Sequence, residues 1–244
     1  MLLKNRIKWL LIEVLGYGRF LVAVFHFRYT RERLARGRSE FASLARLIKP
    51  GHVVIDIGAN IGYTTAVFSD APSKVVYAFE PDPDNFRCLA RTLRGRNNVV
   101  LIQGGVGASD CSGVLRSVVS GGVKQHALSR VEVCNDTQAT SVSIHSVDSF
   151  RRNIDGVIGL VKIDVEGFEV EVLRGMTATV ARDRPALYVE VCGEKALKAY
   201  GDFASQYGYS IYRWDGRRFS PIDGLPCSGN YLFAARSSWR SARP

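Results

Sequence analysis

At 244 residues, 46% of them apolar, the chain can bury one large core, and its formal charge is +10. Residues 1–38 hold nine bases against two acids, and Arg236, Arg240 and Arg243 add three charges at the other end; the middle is near neutral, so the basic total is no nucleic-acid footprint. Five scattered cysteines (Cys88, Cys111, Cys134, Cys192, Cys227) form no CxxC pair, which argues against a zinc site or disulfide framework and for a reducing, cytoplasmic setting.

Residues 9–15 and 20–27 are apolar, but Glu13 and Arg19 interrupt them and Gly16 and Gly18 separate them. No uncharged span reaches the roughly eighteen residues of a membrane helix. No small-residue cleavage site follows a clean apolar stretch. Residues 1–50 are expected to form a helical, basic amphipathic extension. Two roles stay open for it: helices packed on the domain or on a second subunit, or peripheral contact with an anionic membrane through residues 1–38.

Pro50-Gly51 is the expected boundary with an α/β domain over residues 51–244. Strands are expected at Val53–Ile57, Val75–Phe79 and 99–103, with helices at 63–68 and from Asp82-Pro83 to about Leu93. The second helix has an acid at its cap and Pro in its first turn. Residues around 112–145 read as a surface insertion, a substrate loop bracketed by short strands. Strands at 160–163 and 186–189 flank a helix at Glu169–Arg174, and a further helix is expected at 194–207. Residues 209–213 and 231–235 read as a closing antiparallel hairpin around a long turn. The alternation implies a doubly wound, mostly parallel sheet with helices on both faces.

Ligands of such sheets bind beyond the carboxyl ends of the strands. Asp56, Glu80, Asp164 and Glu190 sit at those ends, with Glu166 just beyond. An acid there can cap the next helix, but four strands delivering acids to one rim point to a site. The first turn reads Gly58-x-Asn60-x-Gly62, not GxGxxG, and Asp56 precedes it. Asn tolerates the left-handed backbone a glycine would take. An acid at that place opposes a pyrophosphate and suits a cationic ligand. S-adenosylmethionine, with an ammonium, a sulfonium and no phosphate, fits that charge pattern better than NAD.

Three blocks carry a more specific resemblance: Asp56-Ile57-Gly58-Ala59-Asn60-Ile61-Gly62-Tyr63, then Phe79-Glu80-Pro81-Asp82-Pro83, then Lys162-Ile163-Asp164-Val165-Glu166-Gly167-Phe168-Glu169. In this order and spacing the chain resembles the FkbM family of S-adenosylmethionine-dependent methyltransferases, from about Val53 to Val191. The resemblance implies a seven-stranded class I methyltransferase (Rossmann-like) fold and O-methylation. It implies that Gly58, Asn60, Gly62 and Tyr63 line the methionine end of the cofactor. Asp56 would lie near its amino group or order the loop. Glu80, beside Pro81, would bind the ribose, and the loop through Gly105 and Val106 to Asp110 would border the adenine. Asp164 and Glu166 would lie nearest the methyl group and the acceptor.

A sugar hydroxyl is a weak nucleophile at neutral pH, so a general base is expected: Asp164 or Glu166, or His126 carried on the insertion. His26, His52 and His145 are weaker rivals. A metal-assisted route would use Asp164, but no adjacent Asp-Asn pair supplies further ligands, so no metal is expected. The acceptor is expected to be a hydroxyl on a glycan, glycolipid or secondary metabolite, not a nucleic acid, and an oligomer is compatible with the chain. A non-catalytic cofactor-binding or membrane-recruited module and an NAD-dependent dehydrogenase stay open as alternatives.

Overall fold

The computed structural model describes residues 12, 14–35, 38–116, 119–120, 123–124, 130–132, 140–193 and 196–235. Helices α1 (Tyr17–Leu34) and α2 (Glu40–Ala45) lead into β1 (Val53–Ile57), α3 (Tyr63–Asp70), β2 (Val75–Phe79), α4 (Pro83–Thr92) and β3 (Val99–Ile102). A side sheet follows, built from β4 (Gly105–Val106), β5 (Cys111–Arg116), β8 (Arg130–Glu132) and β9 (Thr140–His145), with a small pair β6 (Val119–Ser120) and β7 (Val123–Lys124). The chain returns through α5 (Val147–Arg151), β10 (Ile158–Ile163), α6 (Glu169–Arg174), α7 (Thr177–Asp183) and β11 (Ala186–Val191). It ends in α8 (Leu197–Gln206), β12 (Tyr209–Trp214), β13 (Phe219–Ile222) and β14 (Gly229–Ala235).

Among the described residues the main sheet has eight strands in the order β13-β12-β14-β11-β10-β1-β2-β3. Its β11-to-β3 portion is parallel, and β12, β13 and β14 are antiparallel. The eighth strand is β13, four residues within the turn expected between the last two strands. Proline has no N–H to give a neighbour, and Pro221 sits on this edge strand, where none is needed. From β1 the chain winds outward through β2 and β3, then returns to β10 on β1's other side. The carboxyl ends of β1 and β10 thus part at the switch point, where a cleft can open.

All five residues of β1 are buried, so both faces are covered. Alternation sorts them. Val53, Ile55 and Ile57 pack with Val172, Met176 and Tyr200 on the face covered by α6, α7 and α8. Val54, with Val76, Leu160 and Tyr188, faces α2 and α3. Asp56 and Lys162 lie in register on the two neighbouring strands, and both are buried. Asp82 caps α4 by accepting from the Asp84 and Asn85 amides at 2.9 and 3.2 Å, and Pro83 follows in the first turn. The sequence pattern predicted that start.

Helix α1 is part of this body. Phe20, Leu21 and Phe25 are buried against Ala59, Ile61, Ala66 and Leu89, which come from the β1 turn, α3 and α4. No helix among the described residues is long and apolar enough to cross a membrane.

The turn after β1 is held by close backbone contact. The Gly58 and Ala59 amides both donate to the Phe79 carbonyl, at 3.0 and 2.9 Å. Gly58 has φ +77°, and a Cβ there would lie 1.8 Å from the Asp164 carbonyl oxygen. Gly167 also has positive φ, +104°, but a Cβ would meet nothing within 4 Å. Alanine at either site carries the left-handed backbone cost, whereas only Gly58→Ala adds a collision with rigid backbone. In urea denaturation the loss of stability for Gly58→Ala should exceed that for Gly167→Ala by about 1–3 kcal/mol. Phe25→Ala should cost about 3 kcal/mol in the same measurement, since a buried aromatic would leave a cavity under α1.

Candidate active site

The cleft at the switch point measures about 250 Å³, a little under the range of about 300–1,000 Å³ usual for small-molecule sites. One wall is the β1 turn. Asn60 takes left-handed geometry, φ +53°, as its place in the glycine pattern predicts. Its side chain accepts from the Ile61 amide at 2.8 Å, and its own amide donates to Glu80 at 2.7 Å. Glu80 also accepts from the Asp82 amide at 2.9 Å and from the Asn85 side chain at 3.4 Å. Burial pushes its carboxyl up to about 7, against those donors. Three of the roughly four lone-pair sites of the carboxylate are thus used, and it still faces the cleft.

The opposite wall comes from β10 and β11. Lys162 is buried, and its ammonium lies 3.1 Å from the Gly58 carbonyl, 3.3 Å from Asp56 and 3.2 Å from Asp164. Burial opposes its charge, but the Asp164 and Asp56 carboxylates outweigh that and hold it above the ordinary lysine range. Asp164 shares a hydrogen bond with Glu190. Burial acts against the Asp164 charge, yet Lys162 and this bond hold its carboxyl below the usual range. Glu190 is pushed up to about 8, first by the bond to Asp164 and then by burial. At neutral pH the pair therefore carries one proton, with the charge on Asp164 beside the ammonium.

Glu166 completes the group from a left-handed residue, φ +55°. Ligand oxygens of Asp164, Glu166 and Glu190 lie within 4.8 Å of one another. Carboxylates so close can share a proton or a divalent cation. The Lys162 ammonium already occupies one side of Asp164.

Of the residues expected from sequence, Gly58, Asn60, Tyr63, Glu80, Pro81, Gly105, Val106, Asp164 and Glu166 all line the cleft. Three others do not. Asp56 is fully buried beneath the turn, where it accepts from the Thr64 and Thr65 hydroxyls at 2.8 and 2.6 Å; its place is to order the loop. Gly62 is the left-handed cap of α3, where a Cβ would come within 2.6 Å of the Leu89 side chain. Asp110 accepts from the Ser146 amide and the Ser149 hydroxyl at 2.7 and 2.6 Å and pins the start of α5. His126 lies outside the described residues. His52 precedes β1 at the far end of the strands, His26 is exposed on α1, and His145 packs against Phe79 beneath Gly104.

Sequence reasoning placed Glu190 among the rim acids without giving it a task, and gave no site role to Lys162, Phe168 or Arg28; all four line the cleft. A signal existed for Lys162. A lone charge inside an apolar strand needs a partner, and Asp56 and Lys162 are such a pair on adjacent strands.

Comparisons with known proteins agree with this architecture. The sequence profile of the Methyltransferase FkbM domain matches residues 56–211. The chain is 27% identical over 172 residues to "Methyltransferase 1" of Beauveria bassiana, covering 62% of this chain and 67% of that protein. It is 31% identical over 173 residues to "Hexuronic acid methyltransferase AglP" of Haloferax volcanii, covering 69% of this chain and 68% of the relative. A crystal structure of methyltransferase FkbM from Methylobacillus flagellatus superposes with a TM-score of 0.52 at 17% identity, covering 75% of this chain. The chain spans 43% of that structure's length, so the likeness speaks for the shared fold alone. With its profile match running from β1 into β12 and a relative above thirty per cent identity, the chain belongs to the FkbM methyltransferase family.

Proposed function

We propose that the protein transfers a methyl group from S-adenosylmethionine to a hydroxyl of a sugar-bearing acceptor. The observation that carries this reading is the cleft itself: Glu80 on one wall, the Asp164–Glu190 pair on the other, and between them a turn that at Gly58 leaves no room for a Cβ. Such a cradle suits a ligand with two ribose hydroxyls at one end and positive charge at the other. The cofactor supplies an electrophilic methyl on a sulfonium, whose bond electrons stay on sulfur as the acceptor oxygen takes the methyl. The Haloferax relative is named for hexuronic acid, which favours a sugar among the acceptors.

The chain's own residues then have three tasks. Glu80 accepts a hydrogen bond from a ribose hydroxyl at its remaining lone-pair site, on Oε2. Lys162 and Asp56 hold the two strand ends at a fixed separation, so that positioning supplies much of the rate. The acceptor's proton goes to the Asp164–Glu190 pair once that pair has lost its own, with Glu166 beside it to hydrogen-bond a polyol. Turnover should therefore rise as pH climbs through about 8, where the pair deprotonates. Glu190→Gln should flatten that rise, and Asp164→Asn should lower kcat by about a hundredfold or more. Glu166→Gln should act chiefly on KM. The assay is transfer of labelled methyl into uronic acids and uronate-containing glycans; a pH-independent rate with normal turnover in Asp164→Asn would eliminate the pair as base.

Glu80 gives a second measurement. Ribose hydroxyls favour its ionised form, so binding should expel its proton. Calorimetric affinity for S-adenosylhomocysteine should rise as pH passes through about 7. Glu80→Gln should bind about tenfold more weakly and lose that pH dependence.

A further inference from the structure

We propose that Arg28, on α1 and outside the region matched by the family profile, binds the methionine carboxylate of the cofactor. The inference rests on the cofactor assignment above and adds a residue to that site. Among the described residues lining the cleft, only Lys162 and Arg28 are cations. An ammonium has three protons to donate. Lys162 has three acceptors around it, the Gly58 carbonyl, Asp56 and Asp164, so it has none to spare. The cleft is otherwise edged by the acids Glu80, Asp164, Glu166 and Glu190, and the ionised Asp164 would repel an entering carboxylate. A second cation at this rim would answer the negative group of a zwitterionic amino-acid end.

Arg28 is placed to do so. Its guanidinium carbon lies 5.3 Å from the centroid of the Tyr63 ring, at the first turn of α3. A guanidinium held over a ring keeps its in-plane N–H groups for a planar anion, and a carboxylate can take two of them. No carboxylate among the described residues forms a salt bridge with it, and the side chain is exposed. The helix fixes its position. Leu21, Phe25 and Arg28 follow one another at four- and three-residue spacing, so they share one stripe of α1. The first two are buried in the core beneath α1, and the third extends that stripe to the rim of the cleft. The location also separates the two ends of the ligand. Glu80 marks the ribose side at β2, whereas Arg28, Tyr63 and Asp164 gather towards β10.

The test compares two ligands that differ by the amino-acid group. S-adenosylhomocysteine carries the carboxylate, and 5′-methylthioadenosine keeps the nucleoside and thioether without it. Calorimetry on the full chain should show Arg28→Met binding S-adenosylhomocysteine about tenfold or more weakly, with affinity for methylthioadenosine unchanged. Arg28→Lys should recover part of the loss, and the wild-type advantage should shrink with added salt. The thermal midpoint of the ligand-free variant should match wild type, because the side chain is exposed. Equal weakening for both ligands, or none for S-adenosylhomocysteine, overturns the assignment of Arg28. Failure of the wild-type chain to bind either ligand would remove the cofactor assignment and this inference with it, whereas normal wild-type binding with an indifferent Arg28→Met removes this inference alone.

Discussion

Between the carboxyl ends of β1 and β10 a lysine ammonium is buried against two carboxylates and a backbone carbonyl. Each partner belongs to a different piece of the site: Asp56 to the strand, Gly58 to the turn, Asp164 to the far wall. A buried charge pair is a poor source of net stability, because desolvation consumes most of the attraction. Its value lies in geometry. Removing one partner leaves an uncompensated charge, so the strand ends are kept at one spacing and the turn at one height. The Gly58 backbone then rests directly on the Asp164 carbonyl, and the cleft has a defined floor.

The same ammonium sets the protonation of the acids. It keeps Asp164 ionised, and an ionised Asp164 makes its neighbour retain a proton. A single lysine thereby turns two similar carboxyl groups into one anion and one acid at neutral pH. The asymmetry depends on position: Asp164 reaches Lys162 at 3.2 Å, whereas Glu190 comes from β11, one strand further on. Interchange of the two side chains would leave the charge away from the lysine.

Much of this was legible because β1, β2 and β10 are apolar runs that end in acids. Their order, the left-handed Asn60 and the capped α4 follow from local chemistry that tertiary context did not override. The unpredicted features are those in which distant segments meet. Residues 219–222 are too short and too proline-marked to declare themselves a strand, and β13 forms only because β12 offers an edge. Asp56 looks like a rim residue in sequence, yet alternation within a doubly covered sheet turns it inward towards α3. Gly62 and Asp110 follow the motif spacing but serve helix ends. Glu190 could be seen as a strand-end acid, but its bond to Asp164 required knowing that β11 lies beside β10.

Arg28 is the sharpest case of this limit. In sequence it is one of nine bases in residues 1–38, and that run reads naturally as a basic surface. The fold divides the run by helical phase. Phe20, Leu21 and Phe25 take the buried stripe, which fixes the rotation of α1 about its own axis. Once that rotation is set, Arg28 must approach Tyr63, and Arg31 and Arg33 fall at other phases of the last turn, with Arg33 over Tyr29. Apolar packing, not charge, thus decides which arginine reaches the cleft. An electrostatic role for the rest of the helix and a ligand contact by Arg28 do not compete, since they lie on different faces of one helix.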